Sequence, residues 1–129
     1  MDLRPLEEAT LYDRLTEEGL SRLVNKFYDL VHQHVVLKEI FPPDLTETRE
    51  KQFAFLSGFF GGPSLYMEKY GHPRLRMRHL KFPIGETEAR AWLECMRQAL
   101  RDTVPDQKLR EDIFAALART AVHMINTGT

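Results

Sequence analysis

The stretch around His79 carries the residue types with the clearest chemical potential. His79 ends a short segment in which arginines alternate with apolar residues, and more apolar residues follow it. The arginines are Arg74, Arg76 and Arg78, and the apolar residues that follow are Leu80, Phe82 and Ile84. Because a guanidinium pairs with a carboxylate through two parallel hydrogen bonds, apolar walls beside such a rim suit a flat, apolar ligand that bears carboxylates. A basic turn on the protein surface explains the same residues, and the segment by itself leaves both interpretations open.

The other histidines give weaker signals. His32 and His34 are two residues apart, so they point to different sides of a helix, and we interpret both as solvated surface residues. His72 precedes a proline and is predicted to cap a turn, while His123 is predicted to be an ordinary packed or surface histidine. The sequence contains no HExxH zinc motif, no glycine-rich phosphate loop and no nucleophile elbow. Common hydrolase and nucleotide-binding functions are therefore disfavoured.

Composition narrows the class of protein further. The chain has 129 residues, which predicts a single domain spanning residues 1–129. Its 18 basic and 19 acidic side chains form no long run of one sign, so we expect no nucleic-acid partner. The apolar stretches are too short to span a bilayer and the first ten residues lack a signal-peptide pattern, so we expect a cytoplasmic protein with no membrane partner. The single cysteine, Cys95, excludes an internal disulfide and a thiolate metal cluster.

The elements that must position these residues are helices, because apolar residues recur at helical spacing almost throughout. A short turn at 11–15 is predicted to lead into a helix over 17–34, with Tyr28 beside its buried stripe. That stripe consists of Leu20, Leu23, Val24, Phe27, Leu30 and Val31. Pro42 and Pro43 end the following turn, since proline removes a backbone donor and clashes with the preceding turn.

The remaining chain is predicted to form shorter and then longer helices. Asp44 and Glu47 resemble a capping box that opens a helix ending at Gly61, and a short segment over 64–70 follows. Two amphipathic helices make up the last third, and Pro105 suits the start of the second. About six helical segments should pack around one core, which predicts an all-α fold.

Four stretches, in this order, resemble a known family: FPPDLTET, GGPSLY, GHPRLRMRHLKFPI and AWLECM. They are similar to the group II truncated haemoglobins, compact globins of bacteria and plants. The resemblance runs from about Tyr12 to Asn126 and is most specific at RLRMRH and AWLECM. It implies a truncated globin fold, a two-over-two helical sandwich enclosing haem b. It also implies that a histidine on a short helix is the proximal iron ligand, and that histidine falls on His79.

The resemblance further implies two sets of site residues. The distal, ligand-facing set is Tyr28, Phe41, Thr48, Gln52 and Trp92. The set in contact with haem is Phe27, Lys51, Phe55, Tyr66, Leu75, Arg76, Arg78, Phe82 and Ile84. Within the second set, Tyr66, Arg76 and Arg78, together with Lys51, match propionate partners. Some family members have tyrosine in place of Phe41 or leucine in place of Gln52, so the predicted pocket is of the Phe/Gln kind. The aromatic residues would also be core residues in any all-α domain, and Tyr28 could simply reach solvent.

The function implied by the resemblance is reversible binding of dioxygen and other diatomic ligands, for oxygen binding, storage or transport. An alternative is a haem enzyme, a nitric-oxide dioxygenase or a weak peroxidase, which needs electrons from an external reductase. A third hypothesis is an interaction module without haem. Since closed two-fold assemblies predominate among oligomers, a homodimer is the expected assembly if the chain associates.

Overall fold

A computed structural model of the chain describes residues 9–71 and 85–123, and this part is helical throughout, without strands. We number its helices in chain order. They are α1 (Leu11–Gln33), α2 (Thr46–Phe59), α3 (Leu65–Tyr70), α4 (Glu86–Thr103) and α5 (Gln107–His123), with a 3-10 turn at Leu37–Glu39 between α1 and α2. The prediction of an all-α fold is confirmed.

Helix α1 begins at a capping box and is interrupted once. The Thr10 hydroxyl accepts from the Asp13 N–H at 3.0 Å, and the Asp13 carboxylate accepts from the Thr10 N–H at 3.2 Å. At Thr16 the backbone leaves the helical region, with φ 74° and ψ 163°, and the Thr16 hydroxyl caps the next segment by accepting from the Gly19 N–H at 3.1 Å. Left-handed φ is costly for a β-branched residue, so this cap helps to hold the break. The predicted short turn followed by a long helix matches this interruption.

The end of α1 differs from the prediction. His34 is not a simply solvated residue, because its side chain is only 19% exposed. Its Nδ1 accepts from the Val36 N–H at 3.1 Å, and its Nε2 lies 3.4 Å from the Glu94 carboxylate of α4. The prediction used only helix periodicity, which stops applying at the residue that caps the helix.

The predicted capping box at the start of α2 is also wrong. Asp44 accepts from the Thr46 N–H at 3.0 Å, whereas the Glu47 carboxylate turns forward to Lys51 at 2.8 Å instead of back to the backbone. At its other end α2 closes in a Schellman motif. The Gly62 N–H donates to the Ser57 oxygen at 2.7 Å and the Gly61 N–H donates to the Gly58 oxygen at 3.0 Å.

Helices α4 and α5 are each capped at the N-terminus by a carboxylate. The Glu88 carboxylate accepts from the Gly85 N–H at 2.7 Å, and Asp106 accepts from the Leu109 N–H at 3.1 Å. Both contacts place negative charge near a helix N-terminus, where the helix dipole favours it. Asp106 explains why α5 starts at Gln107, two residues after Pro105.

The helices pack as two stacked pairs. Helix α1 packs on α2, α4 packs on α5, and the two pairs meet through an extensive contact between α1 and α4. Fully buried side chains fill this layer, and they include Leu20, Leu23, Phe27, Val31, Met96, Leu100 and Ile113. Burying one such side chain stabilises the fold by about 1.5–3 kcal/mol relative to leaving it exposed. The implied two-over-two sandwich is confirmed. None of the helices in the described ranges is long and apolar enough to cross a membrane.

Candidate functional site

Three elements bring four aromatic residues together. The Phe27 ring of α1 lies 4.8 Å from the Tyr28 ring and 5.1 Å from the Trp92 ring of α4, both edge to face. Phe41, which follows the 3-10 turn, lies 5.9 Å from Tyr28, also edge to face. We call these four residues the aromatic cluster. The sequence analysis singled out each of them, although they come from positions spread over 27–92 of the chain.

Tyr28 lies inside this cluster and does not reach solvent. The residue is 3% exposed, which excludes the alternative that its hydroxyl is a surface group. Burial raises the pKa of Tyr28 far above its ordinary value, while the positive charge of Arg49 lowers it by a smaller amount. Its hydroxyl therefore stays protonated and able to donate over the whole neutral range.

Two hydrogen-bond donors of the aromatic cluster have no acceptor among the described residues. Within this part of the chain, Tyr28 and Trp92 make ring contacts, and Tyr28 is also affected by the charge of Arg49, but no hydrogen bond engages the Tyr28 hydroxyl or the Trp92 indole N–H. These two donors are therefore available to a ligand.

One side of α2 carries three more of the predicted site residues. Thr48, Gln52 and Phe55 follow each other at spacings of four and three, so they share a helix face, and all three are partly buried. The Phe55 ring stacks on Phe59 at 5.6 Å and meets Tyr66 of α3 edge-on at 6.2 Å. Phe55 and Tyr66 are thus brought together at the α2–α3 junction.

Lys51 and Tyr66 belong to the same junction. The Lys51 ammonium pairs with Glu47 at 2.8 Å and lies 5.5 Å from the centre of the Tyr70 ring, which is 4.9 Å from the Tyr66 ring. Both predicted residues thus lie against Tyr70. This grouping is compatible with a rim that meets a carboxylate, and its Lys51 directly precedes Gln52 on α2.

Several predicted residues lie outside the described residues, and the proximal side of the site is among them. They are Leu75, Arg76, Arg78, His79, Phe82 and Ile84. Within the described ranges, no group of three or more histidine, cysteine, aspartate or glutamate side chains could hold a metal ion.

Arg49 is the residue that sequence reasoning missed. It donates to the Asn25 backbone oxygen at 2.9 Å and to the Asp29 carboxylate at 2.9 Å, and its guanidinium lies 6.0 Å from the centre of the Tyr28 ring. In the sequence Arg49 is an unremarkable charged helix residue. No local pattern marks it, because its partners Asn25 and Asp29 lie on another helix, four residues apart with Tyr28 between them.

Comparison with known proteins agrees with this architecture. The profile of the bacterial-like globins matches residues 10–126. Together with the stacked helix pairs and the aromatic cluster, this match defines the class of the protein as a small bacterial-type globin.

Individual relatives narrow the class. The chain is 50% identical over 115 residues to the group 2 truncated haemoglobin YjbI of Bacillus subtilis, covering 89% of this chain and 87% of that protein. The two-on-two haemoglobin-3 of Arabidopsis thaliana is 32% identical over 124 residues, covering 93% of this chain and 71% of that protein.

Solved structures agree with the sequence matches. The truncated oxygen-avid haemoglobin of Bacillus subtilis superposes with a TM-score of 0.87 at 50% identity, covering 91% of this chain and 99% of that chain. The group II truncated haemoglobin of Bacillus anthracis gives a TM-score of 0.89 at 48% identity, covering 93% of each. The chain therefore belongs to the group II truncated haemoglobins within the bacterial-like globin family.

Proposed function

We propose that this globin binds haem b with His79 as the proximal iron ligand, and that it binds dioxygen and other diatomic ligands reversibly beside the aromatic cluster. The observation that carries the proposal is the protonated hydroxyl of Tyr28, a residue only 3% exposed, for which the described residues provide no hydrogen-bond partner. Membership of the globin family supports haem as the cofactor.

The described residues fit a haem on the distal side. Phe27, Phe41 and Phe55 supply apolar rings, and the first two already pack edge to face against the ligand-facing tyrosine. Flat aromatic and apolar walls with a few convergent polar groups are the usual lining of a cofactor site. On the rim, Lys51 and Tyr66, with Arg76 and Arg78, are the proposed partners of the propionates.

When bound, haem would supply an iron that takes up a diatomic gas, and His79 is the residue that would hold that iron. His79 is proposed to donate a neutral imidazole nitrogen for this purpose. Its second ring nitrogen should donate a hydrogen bond to a backbone carbonyl, which fixes the tautomer and the ring orientation.

The distal residues then discriminate between gases. The Tyr28 hydroxyl, the Gln52 amide and the Trp92 indole N–H would donate hydrogen bonds to a ligand that carries partial negative charge, as dioxygen would. Each hydrogen bond contributes about 1 kcal/mol net, and more when the acceptor carries charge. Two or three donors should slow release of dioxygen by roughly 10- to 1000-fold. Carbon monoxide, which is less polarised, should benefit less.

A slow release of oxygen agrees with what is known of a similar protein. The Bacillus subtilis haemoglobin with 50% identity is described as oxygen-avid. Tight retention suits oxygen binding and storage, and it equally suits chemistry on the bound gas, so nitric-oxide dioxygenase or peroxidase activity with an external reductase is the second candidate.

Reversible oxygenation of the purified protein tests the proposal. The reduced protein should change its absorption spectrum under oxygen and recover the original spectrum under argon through repeated cycles. Adding nitric oxide and an electron-donating reductase then separates the two candidates, because only an enzyme converts nitric oxide to nitrate over many turnovers. A reduced protein whose spectrum does not respond to oxygen would contradict both.

A further inference from the structure

Arg49 of α2 forms hydrogen bonds with the turn of α1 that carries Tyr28. Its Nη1 donates to the backbone oxygen of Asn25 at 2.9 Å and to the Asn25 side-chain oxygen at 3.2 Å, and its Nη2 donates to the Asp29 carboxylate at 2.9 Å. The guanidinium carbon lies 6.0 Å from the centre of the Tyr28 ring. Since Asn25 and Asp29 are one helical turn apart, Arg49 contacts α1 on both sides of Tyr28.

We propose that Arg49 is a positioning residue for oxygen binding, which fixes the Tyr28 side chain relative to the α2 face that carries Thr48 and Gln52. The inference rests on the proposed function. Arg49 acts through Tyr28 and does not need to touch the ligand itself.

The chemistry of the contact favours arginine over other cations. A guanidinium is planar and presents several N–H groups in a fixed fork, so it can serve two acceptors on one helix turn at once. Its side chain is 25% exposed, whereas that of its partner Asp29 is 59% exposed, so Arg49 is the more buried member of the pair. A lysine would keep the charge, but its single ammonium lacks the fork that holds both Asn25 and Asp29.

Arg49 is also well placed along α2. Arg49 directly follows Thr48 and precedes Gln52 by three residues. When Arg49 is held against α1, the positions of Thr48 and Gln52 relative to Tyr28 are therefore held as well. Its charge reaches the tyrosine as well, because Arg49 opposes the effect of burial on the pKa of the Tyr28 hydroxyl.

An open groove of about 560 Å³ adjoins the same contact on the solvent side. Its lining residues include Val24, Asn25, Arg49 and Phe53 of α1 and α2. If Arg49 merely closed this groove to gases, removing its side chain would raise the dissociation rates of both gases by the same factor. A residue that positions Tyr28 would instead affect the dissociation rate of dioxygen much more than that of carbon monoxide.

The test compares Arg49→Met with a matched control, Arg14→Met. Arg14 also ties α1 to another helix, through Asp112 of α5 at 2.9 Å with a 32% exposed side chain, but it has no contact with Tyr28. In the haem-loaded protein, Arg49→Met should speed dioxygen dissociation by roughly 3- to 10-fold, the loss expected for one weakened hydrogen bond. Carbon monoxide dissociation should change less than about twofold, and Arg14→Met should alter neither. Equal acceleration of both gases would overturn the proposal.

A double-mutant cycle with Tyr28→Phe shows whether Arg49 acts through the hydroxyl. In the Tyr28→Phe background, Arg49→Met should add almost nothing to the dioxygen dissociation rate, because the group it positions is already gone. Fully additive effects would mean that the two residues act independently, and would overturn the proposal.

A readout that needs no haem completes the design. The chain has 4 tyrosines, so 3-fluorotyrosine labelling gives a simple fluorine NMR spectrum in which Tyr28→Phe identifies the Tyr28 signal. Arg49→Met should shift or broaden that signal, Arg49→Lys should do so by a smaller amount, and Arg14→Met should leave it unchanged. Arg49→Lys carries the same test if Arg49→Met does not fold.

Failure of the proposed function and failure of the positioning role of Arg49 give different results. A wild-type protein that holds no haem contradicts the proposed function, while the fluorine spectrum still decides whether Arg49 positions Tyr28. An unchanged Tyr28 signal in Arg49→Met, in a protein that binds haem and oxygen, overturns the positioning role alone.

Discussion

Trp92 illustrates how one side chain can serve both packing and ligand binding. Its ring packs edge to face on Phe27 at 5.1 Å, and its indole N–H has no hydrogen-bond partner among the described residues. An indole has a donor and no acceptor, so it can only donate toward a ligand or a neighbouring oxygen. Packing and donation can be separated by a substitution that keeps an aromatic ring.

Trp92→Phe should speed dioxygen dissociation by roughly 5- to 10-fold, the effect of losing about one hydrogen bond, while carbon monoxide dissociation changes by less than about twofold. Stopped-flow displacement of each gas measures both rates. Leu93→Ala, which trims a partly buried neighbour on α4 outside the aromatic cluster, is the matched control for packing damage. Equal acceleration of the two gases, or none, would make Trp92 purely structural.

Cys95 gives a prediction about pH and stability. Burial, with a smaller contribution from Glu94, raises the pKa of its thiol to about 11 from a usual value of 9.0. The unfolded chain therefore loses this proton at lower pH than the folded chain, so the contribution of Cys95 to the free energy of unfolding is lost as pH rises from about 9 to about 11.

Cys95→Ala should remove that part of the pH dependence. Urea unfolding at a series of pH values, followed by helical circular dichroism, should show a shallower alkaline loss of stability in the variant than in the wild type. Lysines and tyrosines ionise in both proteins, so the difference between the two curves isolates the thiol. Identical slopes would show that the thiol is not perturbed.

Residue identities were predictable from the sequence only where a pattern or a resemblance marked them. The resemblance marks Phe27, Tyr28, Phe41 and Trp92, and these four residues lie together in the structure. Arg49 was not, because its importance comes from acceptors on another helix, and no local pattern reports a contact between positions 24 residues apart.

At the scale of elements, the turn that joins α2 to α3 determines how the start of α1 is held. Gly61 has φ +90°, and a Cβ added there would lie 2.6 Å from a Thr10 side-chain carbon. The Tyr12 N–H donates to the Phe60 oxygen at 2.9 Å in the same region. The turn and the beginning of α1 therefore pack tightly, and only glycine satisfies both the backbone angle and the space.

Gly61→Ala should destabilise the protein by about 1–2 kcal/mol from backbone conformation and by about 1–3 kcal/mol more from overpacking. Gly71→Ala is the matched control, since Gly71 has φ +82° but no atom of the described residues beyond its chain neighbours lies within 4 Å of the added Cβ. It should incur the backbone cost alone. Thermal unfolding of both variants measures the difference, and equal losses would show that Thr10 moves aside without cost.

Helix existence was easier to predict than helix ends. Periodic apolar residues predicted α1, α2, α4 and α5, but the capping box expected at Asp44 and Glu47 does not form. Two acceptable uses of Glu47 compete, and the i,i+4 ion pair with Lys51 prevails over a backbone bond. A sequence pattern shows which contacts are available and cannot rank alternatives of nearly equal free energy.

At the scale of the whole molecule, the described residues form two helix pairs joined through α1 and α4, with α3 packed on α2 and the aromatic cluster where α1 and α4 meet. The all-α fold followed from periodicity alone, whereas the two-over-two arrangement needed the family resemblance. Periodicity tells which face of each helix is buried, but many pairings bury the same faces. The cofactor likewise came from the resemblance, since no local pattern in the chain excluded a basic surface turn around His79.

A haem held by His79 is the central feature of the proposed site, and one comparison tests it directly. Wild type and His79→Ala, each mixed with haem and passed through gel filtration, are examined by absorption spectroscopy and by resonance Raman in the reduced state. The wild type should keep a Soret band and an iron–histidine stretching signal. His79→Ala should remain helical, lose that signal and hold haem weakly or not at all. An unchanged iron–histidine signal in His79→Ala, or a wild type without a Soret band, would contradict the account.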